Sequence, residues 1–137
     1  MALLALLHAA IAGFMLFFMA VVPQAAFKTL SAKAVGAFLR VLFPRMFLFG
    51  LALSIAASGA ALAAAATWQL YVSVGLAAGF AINVFVLTPR INAYRDRDLE
   101  GDAVARRMFG LLHMVSVAIF LAQLAGSLAV TGLFLWA

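Results

Sequence analysis

The stretch ALLALLHAAIAGFMLFFMAVV, residues 2–22, decides the fold, because apart from one histidine it contains only apolar residues and one glycine. An α-helix needs roughly 20 such residues to cross about 30 Å of hydrocarbon. Three further runs have the same character, at Phe47–Ala66, Trp68–Thr88 and Phe109–Ala137. The sequence therefore predicts an all-α integral membrane protein, a four-helix bundle that forms a single domain over residues 1–137.

The charged side chains are confined to two short stretches, residues 28–45 and 90–107, which hold all nine basic and all four acidic residues. Two spans separate these stretches, so both must lie on the same side of the membrane. Because loops rich in Lys and Arg stay in the cytoplasm, we expect both stretches to be cytoplasmic and both termini to lie outside, in a bacterial inner membrane. The net charge of +5 then indicates contact with anionic lipid headgroups at the cytoplasmic face rather than nucleic-acid binding.

Several classes of function lack their sequence signature. The chain has no cysteine, which excludes a disulfide and a thiolate site. It shows no nucleophile beside a base, no glycine-rich phosphate loop and no carboxylate pair within an apolar run. No basic segment precedes the first apolar run, so we expect that span to be retained rather than removed as a signal peptide. The sequence predicts a protein that is not an enzyme and has no cofactor, with copper as the one open alternative.

The segment Gln24–Phe43, between the first two spans, is amphipathic at helical spacing. Pro23 and Pro44 flank it, and each proline is expected to interrupt a helix. We therefore predict an interfacial helix that lies on the inner leaflet. Its apolar side is formed by Phe27, Leu30, Ala34, Phe38 and Val41, and its polar side by Lys28, Thr29, Lys33, Gly36 and Arg40.

The third span carries small and polar residues at a spacing of four, which places Tyr71, Gly75, Gly79 and Asn83 on one face. Helices in lipid associate where small residues let their backbones approach and where polar groups can pair. We predict helix packing at Gly75, Gly79 and Asn83. The Gly75–Gly79 pair is also compatible with a homo-oligomer.

The fourth span carries a line of polar and aromatic residues from its charged end to its other end. Polar residues in a membrane normally face a bundle interior or a water-filled cavity. Two interpretations stay open: hydrogen bonds between helices, or a pathway lined by these side chains. The line consists of Arg106, Phe109, His113, Ser116, Phe120, Gln123, Ser127 and Thr131.

A rim of four polar residues is predicted at the charged end of the bundle. If the third helix continues through Pro89 with a kink, Arg90 and Asn92 reach the mouth of the bundle beside Arg106 and His113. The sequence then predicts a rim that recognises an anion or a lipid headgroup.

The two histidines and the methionines of the first span suggest a soft metal ion. His8, Met15 and Met19 share one face of their helix, and Met19 is expected at the depth of His113. Imidazole and thioether groups are suitable ligands for Cu(I), although methionine is also an ordinary packing residue, and both interpretations stay open. A bis-histidine haem would need His8 and His113 at one depth, and the sequence places them near opposite faces.

Three sequence patterns occur in order along the chain: Leu42-Phe43-Pro44 at the start of a span, Asn83 followed by Thr88-Pro89-Arg90-Ile91-Asn92, and Phe109 followed by His113, Ser116 and Gln123. Taken together, they resemble the transmembrane protein 205-like family of bacterial and eukaryotic membrane proteins. The resemblance covers nearly the whole chain and implies a four-helix membrane protein of unknown function, with no site residues to carry over.

Two functional hypotheses follow. In the first, the chain takes part in transport of, or tolerance to, a soft metal ion or a small solute, through the polar and methionine-bearing faces. In the second, it is a non-catalytic accessory subunit or scaffold of a larger membrane complex. A haem-binding redox protein is a distant third.

Overall fold

The computed structural model describes residues 1–136, which form helices joined by three short turns. A π-helical segment at Asn83–Leu87 connects the third helix to the fourth. The helices are α1 (Ala2–Thr29), α2 (Ala32–Ala63), α3 (Thr67–Ile82), α4 (Thr88–Leu99) and α5 (Ala103–Trp136).

These elements make four membrane spans, as the sequence predicts. The segments α3, π-helix and α4 run on without a break and form one span, Thr67–Leu99. The spans have 28, 32, 33 and 34 residues, and their apolar windows have a mean hydropathy of 2.0 to 2.3. Each is longer than the roughly 20 residues that hydrocarbon requires, so the helices tilt or extend beyond it. The all-α four-helix membrane bundle is confirmed.

The spans form an antiparallel bundle of four, in which α1 packs beside α2 and α5, and α3 packs beside the same two helices. The spans α1 and Thr67–Leu99 are therefore diagonal to each other. Short turns at Leu30–Ser31, Ala64–Ala66 and Glu100–Asp102 allow only an up-down-up-down topology.

The two ends of the bundle differ in chemistry. At one end, an ion pair between Arg40 of α2 and Asp96 of α4 joins the two charged stretches, which confirms that they share an end. Trp68, Tyr71 and Trp136 are exposed near the opposite end. Aromatic side chains with a polar tip are typical of the membrane–water interface, so this end of the bundle has the residues expected at a membrane surface.

The predicted interfacial helix over Gln24–Phe43 is wrong as a separate element. The helix α1 continues through Pro23 to Thr29, and α2 begins at Ala32 and continues through Pro44. Within lipid, a helix tolerates the loss of the backbone hydrogen bond that proline removes. A local adjustment costs less free energy than ending the helix, which would expose several unpaired backbone groups to hydrocarbon.

The break between α1 and α2 lies at Leu30–Ser31 instead. Leu30 has an extended backbone conformation, with φ −114° and ψ 150°. The hydroxyl of Ser31 accepts a hydrogen bond of 3.3 Å from the backbone N–H of Ala34, so Ser31 caps α2. The amphipathic segment is thereby divided between the charged ends of two spans.

The core is densest around Phe80, which is fully buried together with Met15 and Phe47. The ring of Phe80 lies against Gly50 of α2, where an added Cβ would be 2.6 Å from it. Its centroid is 6.5 Å from that of Phe47. Only glycine at this position allows α2 to approach the ring so closely.

Only part of the predicted packing stripe of the third span contacts another helix. Gly79 is buried, and a Cβ there would lie 2.8 Å from Nε2 of Gln123 and 3.0 Å from Ile119 of α5. Gly75 is exposed, and a Cβ there would meet no atom within 4 Å. Helix packing within this chain therefore uses Gly79 and Asn83, and Gly75 takes no part in it.

We expect Gly79→Ala to lower the free energy of unfolding in detergent, measured by SDS titration, relative to Gly75→Ala. The added methyl group at position 79 displaces the amide of Gln123, which breaks a buried hydrogen bond between helices, and such bonds average about 0.6 kcal/mol and reach about 1.7 kcal/mol. Alanine at position 75 brings only the gain in helix propensity, about 1 kcal/mol. Equal stability of the two variants would contradict this account of α3–α5 packing.

Candidate functional site

A cavity of about 210 Å³ opens in the charged half of the bundle, between α1, α2, α4 and α5. Most of its wall is apolar and aromatic. Sites for small molecules are commonly concave, largely apolar and provided with a few polar groups. The apolar wall includes Phe18, Met19, Phe43, Met46, Phe47 and Phe120.

The polar part of the wall comes from α2, α4 and α5. Asn92 offers a donor and an acceptor, and Thr88 and Ser116 offer hydroxyl groups. His113 adds an imidazole whose ring is stacked on Phe109 at a centroid distance of 6.0 Å. The polar lining side chains are Arg40, Thr88, Asn92, His113 and Ser116.

Part of the cavity wall lies at the surface of the bundle, on α1 and α5. Three of its apolar lining residues are 45%, 38% and 47% exposed, namely Met19 of α1 and Val117 and Leu121 of α5. Because these residues lie within membrane spans, their exposed surfaces contact lipid. A molecule dissolved in the hydrocarbon can therefore reach the cavity sideways.

The one charged side chain of the cavity wall is neutralised. Both terminal nitrogens of Arg40 donate to the two carboxylate oxygens of Asp96, one of them over 3.2 Å, which makes the pair bidentate. Bidentate arginine–carboxylate pairs are the stronger and more directional ones. The pair also connects α2 to α4 across the charged end of the cavity.

Behind the polar wall, Asn83 organises the π-helical segment. Its backbone carbonyl accepts both the N–H of Thr88 and, over 2.7 Å, the hydroxyl of Thr88. Pro89 follows directly and has no N–H to continue the α-helical pattern, so a wide turn forms here.

The side chain of Asn83 points into the bundle. Its Oδ1 accepts a hydrogen bond of 2.5 Å from the hydroxyl of Ser116 on α5, and its Nδ2 has no protein partner. Ser116 therefore connects the cavity wall to a fully buried amide.

Two further polar contacts lie deeper in the bundle. Nε2 of Gln123 donates to the carbonyl of Leu76 over 2.8 Å. Ser73 of α3 lies 3.0 Å from Nε2 of His8, across the diagonal of the bundle. Ser116, Gln123 and Ser127 are buried, so the polar line of the fourth span faces the bundle interior over this part of its length.

The predicted rim is only partly assembled. Asn92 and His113 both line the cavity, whereas Arg90 is exposed outside it. Arg106 is also outside, and its Nε donates to Asp98 over 2.8 Å. The expected group of four around one mouth does not form.

Asp102, in the second charged stretch, stabilises the turn into α5. Oδ1 of Asp102 accepts from the backbone N–H groups of Val104 and Ala105, at 2.9 and 3.0 Å, and its Oδ2 accepts from Arg97. The N–H of Ala105 and the guanidinium of Arg97 hold the pKa of Asp102 below its ordinary value. Asp102 is therefore a charged N-cap of α5.

The four predicted metal ligands are not brought together. Met19 and His113 line the cavity, joined by Met46, whereas His8 and Met15 are buried elsewhere. His8 and Met19 are eleven residues apart on one helix, a separation of about 16 Å. In the described residues, no group of three or more His, Asp or Glu side chains is placed to hold a metal ion.

Three features of the site could not be predicted from the sequence: the cavity, its exposure to lipid and the Arg40–Asp96 pair. The pair depends on the relative rotation of α2 and α4, which no local pattern specifies. One signal was available for the irregular turn, since a proline follows Thr88 inside an apolar span.

Comparison with known proteins gives one match. Residues 6–100 match a family model described as a domain of unknown function (DUF4149), so the match runs from α1 to the turn before α5. No curated protein and no solved structure matches the chain. The resemblance to the transmembrane protein 205-like family stays a prediction.

A double-mutant cycle on Asn83→Ala and Ser116→Ala should give a coupling of about 0.5–1.5 kcal/mol in unfolding experiments. Hydrogen bonds between membrane helices average about 0.6 kcal/mol and reach about 1.7 kcal/mol. Ser58→Ala is the control partner for Asn83→Ala, because the hydroxyl of Ser58 donates within α2, to the carbonyl of Ser54. A coupling in the control cycle as large as that of Asn83 with Ser116 would contradict the assignment.

Proposed function

We propose that this chain, which belongs to the DUF4149 family, binds a small uncharged amphipathic molecule in the cavity between α1, α2, α4 and α5, and takes part in its transport or in tolerance to it. The observation that carries the proposal is the cavity itself. Its wall combines apolar residues that are exposed to lipid with polar side chains of α2, α4 and α5.

The shape and lining of the cavity favour an amphipathic molecule. Its volume of about 210 Å³ suits a short chain or a single ring rather than a whole phospholipid. The aromatic wall supplies apolar contact, and Asn92, His113 and Ser116 supply hydrogen bonds for a polar head. A molecule of this kind partitions into the bilayer first and reaches the lipid-exposed wall on α1 and α5 from there.

The electrostatics favour an uncharged head. Arg40 is the one charged lining residue, and its guanidinium already binds both oxygens of Asp96. An anionic ligand would compete with Asp96, and it would have to lose its hydration in a largely apolar space, which is costly. A neutral alcohol, a neutral amide or a ring without an amine neither competes with Asp96 nor has to lose the hydration of a charge.

We expect a photoreactive diazirine derivative of octanol, used on the protein in detergent, to label residues around Met19 and Val117, as mapped by mass spectrometry. Excess 1-octanol should compete, and octanoate in its carboxylate form should not. Val117→Trp fills the cavity and should reduce labelling about tenfold, a change that corresponds to about 1.4 kcal/mol.

Val115→Trp is the matched control for this experiment. Val115 is a similarly exposed valine of α5 that lies outside the cavity wall, so its variant should be labelled like the natural protein. Labelling spread evenly over lipid-facing residues, or equal in the two tryptophan variants, would overturn the binding proposal. Equal competition by octanoate would overturn the preference for a neutral head.

A soft monovalent cation is the second candidate ligand, favoured by the meeting of Met19, Met46 and His113 at the same cavity. Silver ions serve as the probe in the same labelling experiment. Silver that blocks labelling of the natural protein but not of the Met19→Leu, Met46→Leu variant would support the metal site. The control is the Met108→Leu, Met114→Leu variant, since neither of its methionines lines the cavity.

We further propose that the charged end faces the cytoplasm of a bacterial cell, since all nine basic residues lie there. The chain has no cysteine, so the labelling of a single introduced cysteine shows on which side of the membrane it lies, without background from other cysteines of this protein. In whole cells, an impermeant maleimide should label Ala64→Cys, in the turn at the other end, and leave Glu100→Cys unlabelled. The reverse pattern would contradict this orientation.

A further inference from the structure

A second polar cluster lies in the half of the bundle opposite the cavity. Its contact is the one between His8 on α1 and Ser73 on α3. Ser127 on α5 is assigned to the same half by the helix register, and all three side chains are fully buried. The charged side chains of the chain lie in residues 28–45 and 90–107, at the other end. The cluster is therefore a group of neutral polar side chains in apolar surroundings.

The hydrogen bonds around Ser73 fix the tautomer of His8. The hydroxyl of Ser73 donates its single proton to the carbonyl of Gln69 over 2.8 Å. The contact of 3.0 Å between Ser73 Oγ and His8 Nε2 must then be a bond that the imidazole donates. Nε2 of His8 therefore carries the proton, and Nδ1 presents a lone pair that has no protein partner.

The helix register brings Ser127 to the same level. Leu76 and Asn83 are seven residues apart on the third span, and their partners Gln123 and Ser116 are seven residues apart on α5. This antiparallel register, continued by one turn, places Ser73 level with residues 126–127. The hydroxyl of Ser127 is fully buried and also has no protein partner.

We propose that His8 and Ser127 bind a water molecule inside the membrane, in the half of the bundle opposite the cavity. The water donates one hydrogen to Nδ1 of His8 and accepts the hydroxyl hydrogen of Ser127. This inference is independent of the function proposed for the cavity.

The chemistry of the two orphaned atoms favours water over other occupants. Nδ1 of His8 can only accept, and a hydroxyl can donate, so a single molecule that both donates and accepts satisfies both. Buried waters are found where polar groups lack other partners. The water would connect α1 to α5, as the His8–Ser73 bond connects α1 to α3.

Nitrogen NMR of histidine in lipid bilayers tests the proposal directly. The chain has two histidines, so His113→Gln leaves His8 as the single labelled residue. We expect Nε2 to be protonated, Nδ1 to be unprotonated and hydrogen-bonded, and magnetisation to pass from water to the His8 ring. In the His113→Gln, Ser127→Ala protein, the water signal at His8 should be lost.

The matched control is His113→Gln with Ser58→Ala, which removes a hydroxyl bonded within its own helix and should leave the water signal unchanged. An Nδ1-protonated ring would overturn the tautomer and with it the site. A ring without water contact in the single-histidine protein would overturn the proposal even if Ser127→Ala failed to fold. A water signal that survives in folded Ser127→Ala would show that Ser127 is not the second partner.

Discussion

The interior of this bundle depends on one constraint: hydrocarbon offers no hydrogen-bond partner, so polar groups within the spans must find partners among themselves. The pairs Asn83–Ser116 and Gln123–Leu76 each supply one such partner, while Nδ2 of Asn83 and Oε1 of Gln123 have no protein partner. Together the two pairs fix the register of the third span against α5. Gly79 is part of the same arrangement, because the amide of Gln123 lies over it. Apolar packing could tolerate a shift of one helix along the other, whereas these pairs could not.

The same constraint explains the irregular turn next to the cavity. In an α-helix the N–H of residue 89 would bond to the carbonyl of Phe85, and proline lacks this N–H. In the wide turn before it, the carbonyl of Asn83 accepts both donors of Thr88, its N–H and its hydroxyl, so that carbonyl stays bonded. The wide turn lies where the third span reaches the polar wall of the cavity, and Thr88 is itself part of that wall. An irregular backbone at membrane depth is tolerated where protein covers it.

The spans, their number and the shared charged end could be predicted because they follow from composition along the chain. The prediction of an interfacial helix was wrong, because it applied to Pro23 and Pro44 the rule that proline ends a helix, which comes from water-soluble proteins. In lipid, helices continue through proline, as α1 and α2 do here. Gly75 and Gly79 share a stripe in the sequence, yet only Gly79 faces α5, since a crossing helix touches such a stripe over a limited length. The cavity depends on the rotation of four helices at once, and the sequence carries no local signal for that.

The bundle contains two polar regions that an apolar layer separates. The cavity wall ends at Phe47, and the ring of Phe80 lies next to it, against Gly50 of α2. In the α3–α5 register, Phe80 falls between the level of Asn83 and that of Ser73. An aromatic layer therefore lies between the cavity and the His8 cluster, so passage of the proposed ligand through the bundle would disturb the contact of Phe80 with Gly50. Binding from the lipid side and return to it require no such disturbance, which makes lateral exchange the route that this packing favours.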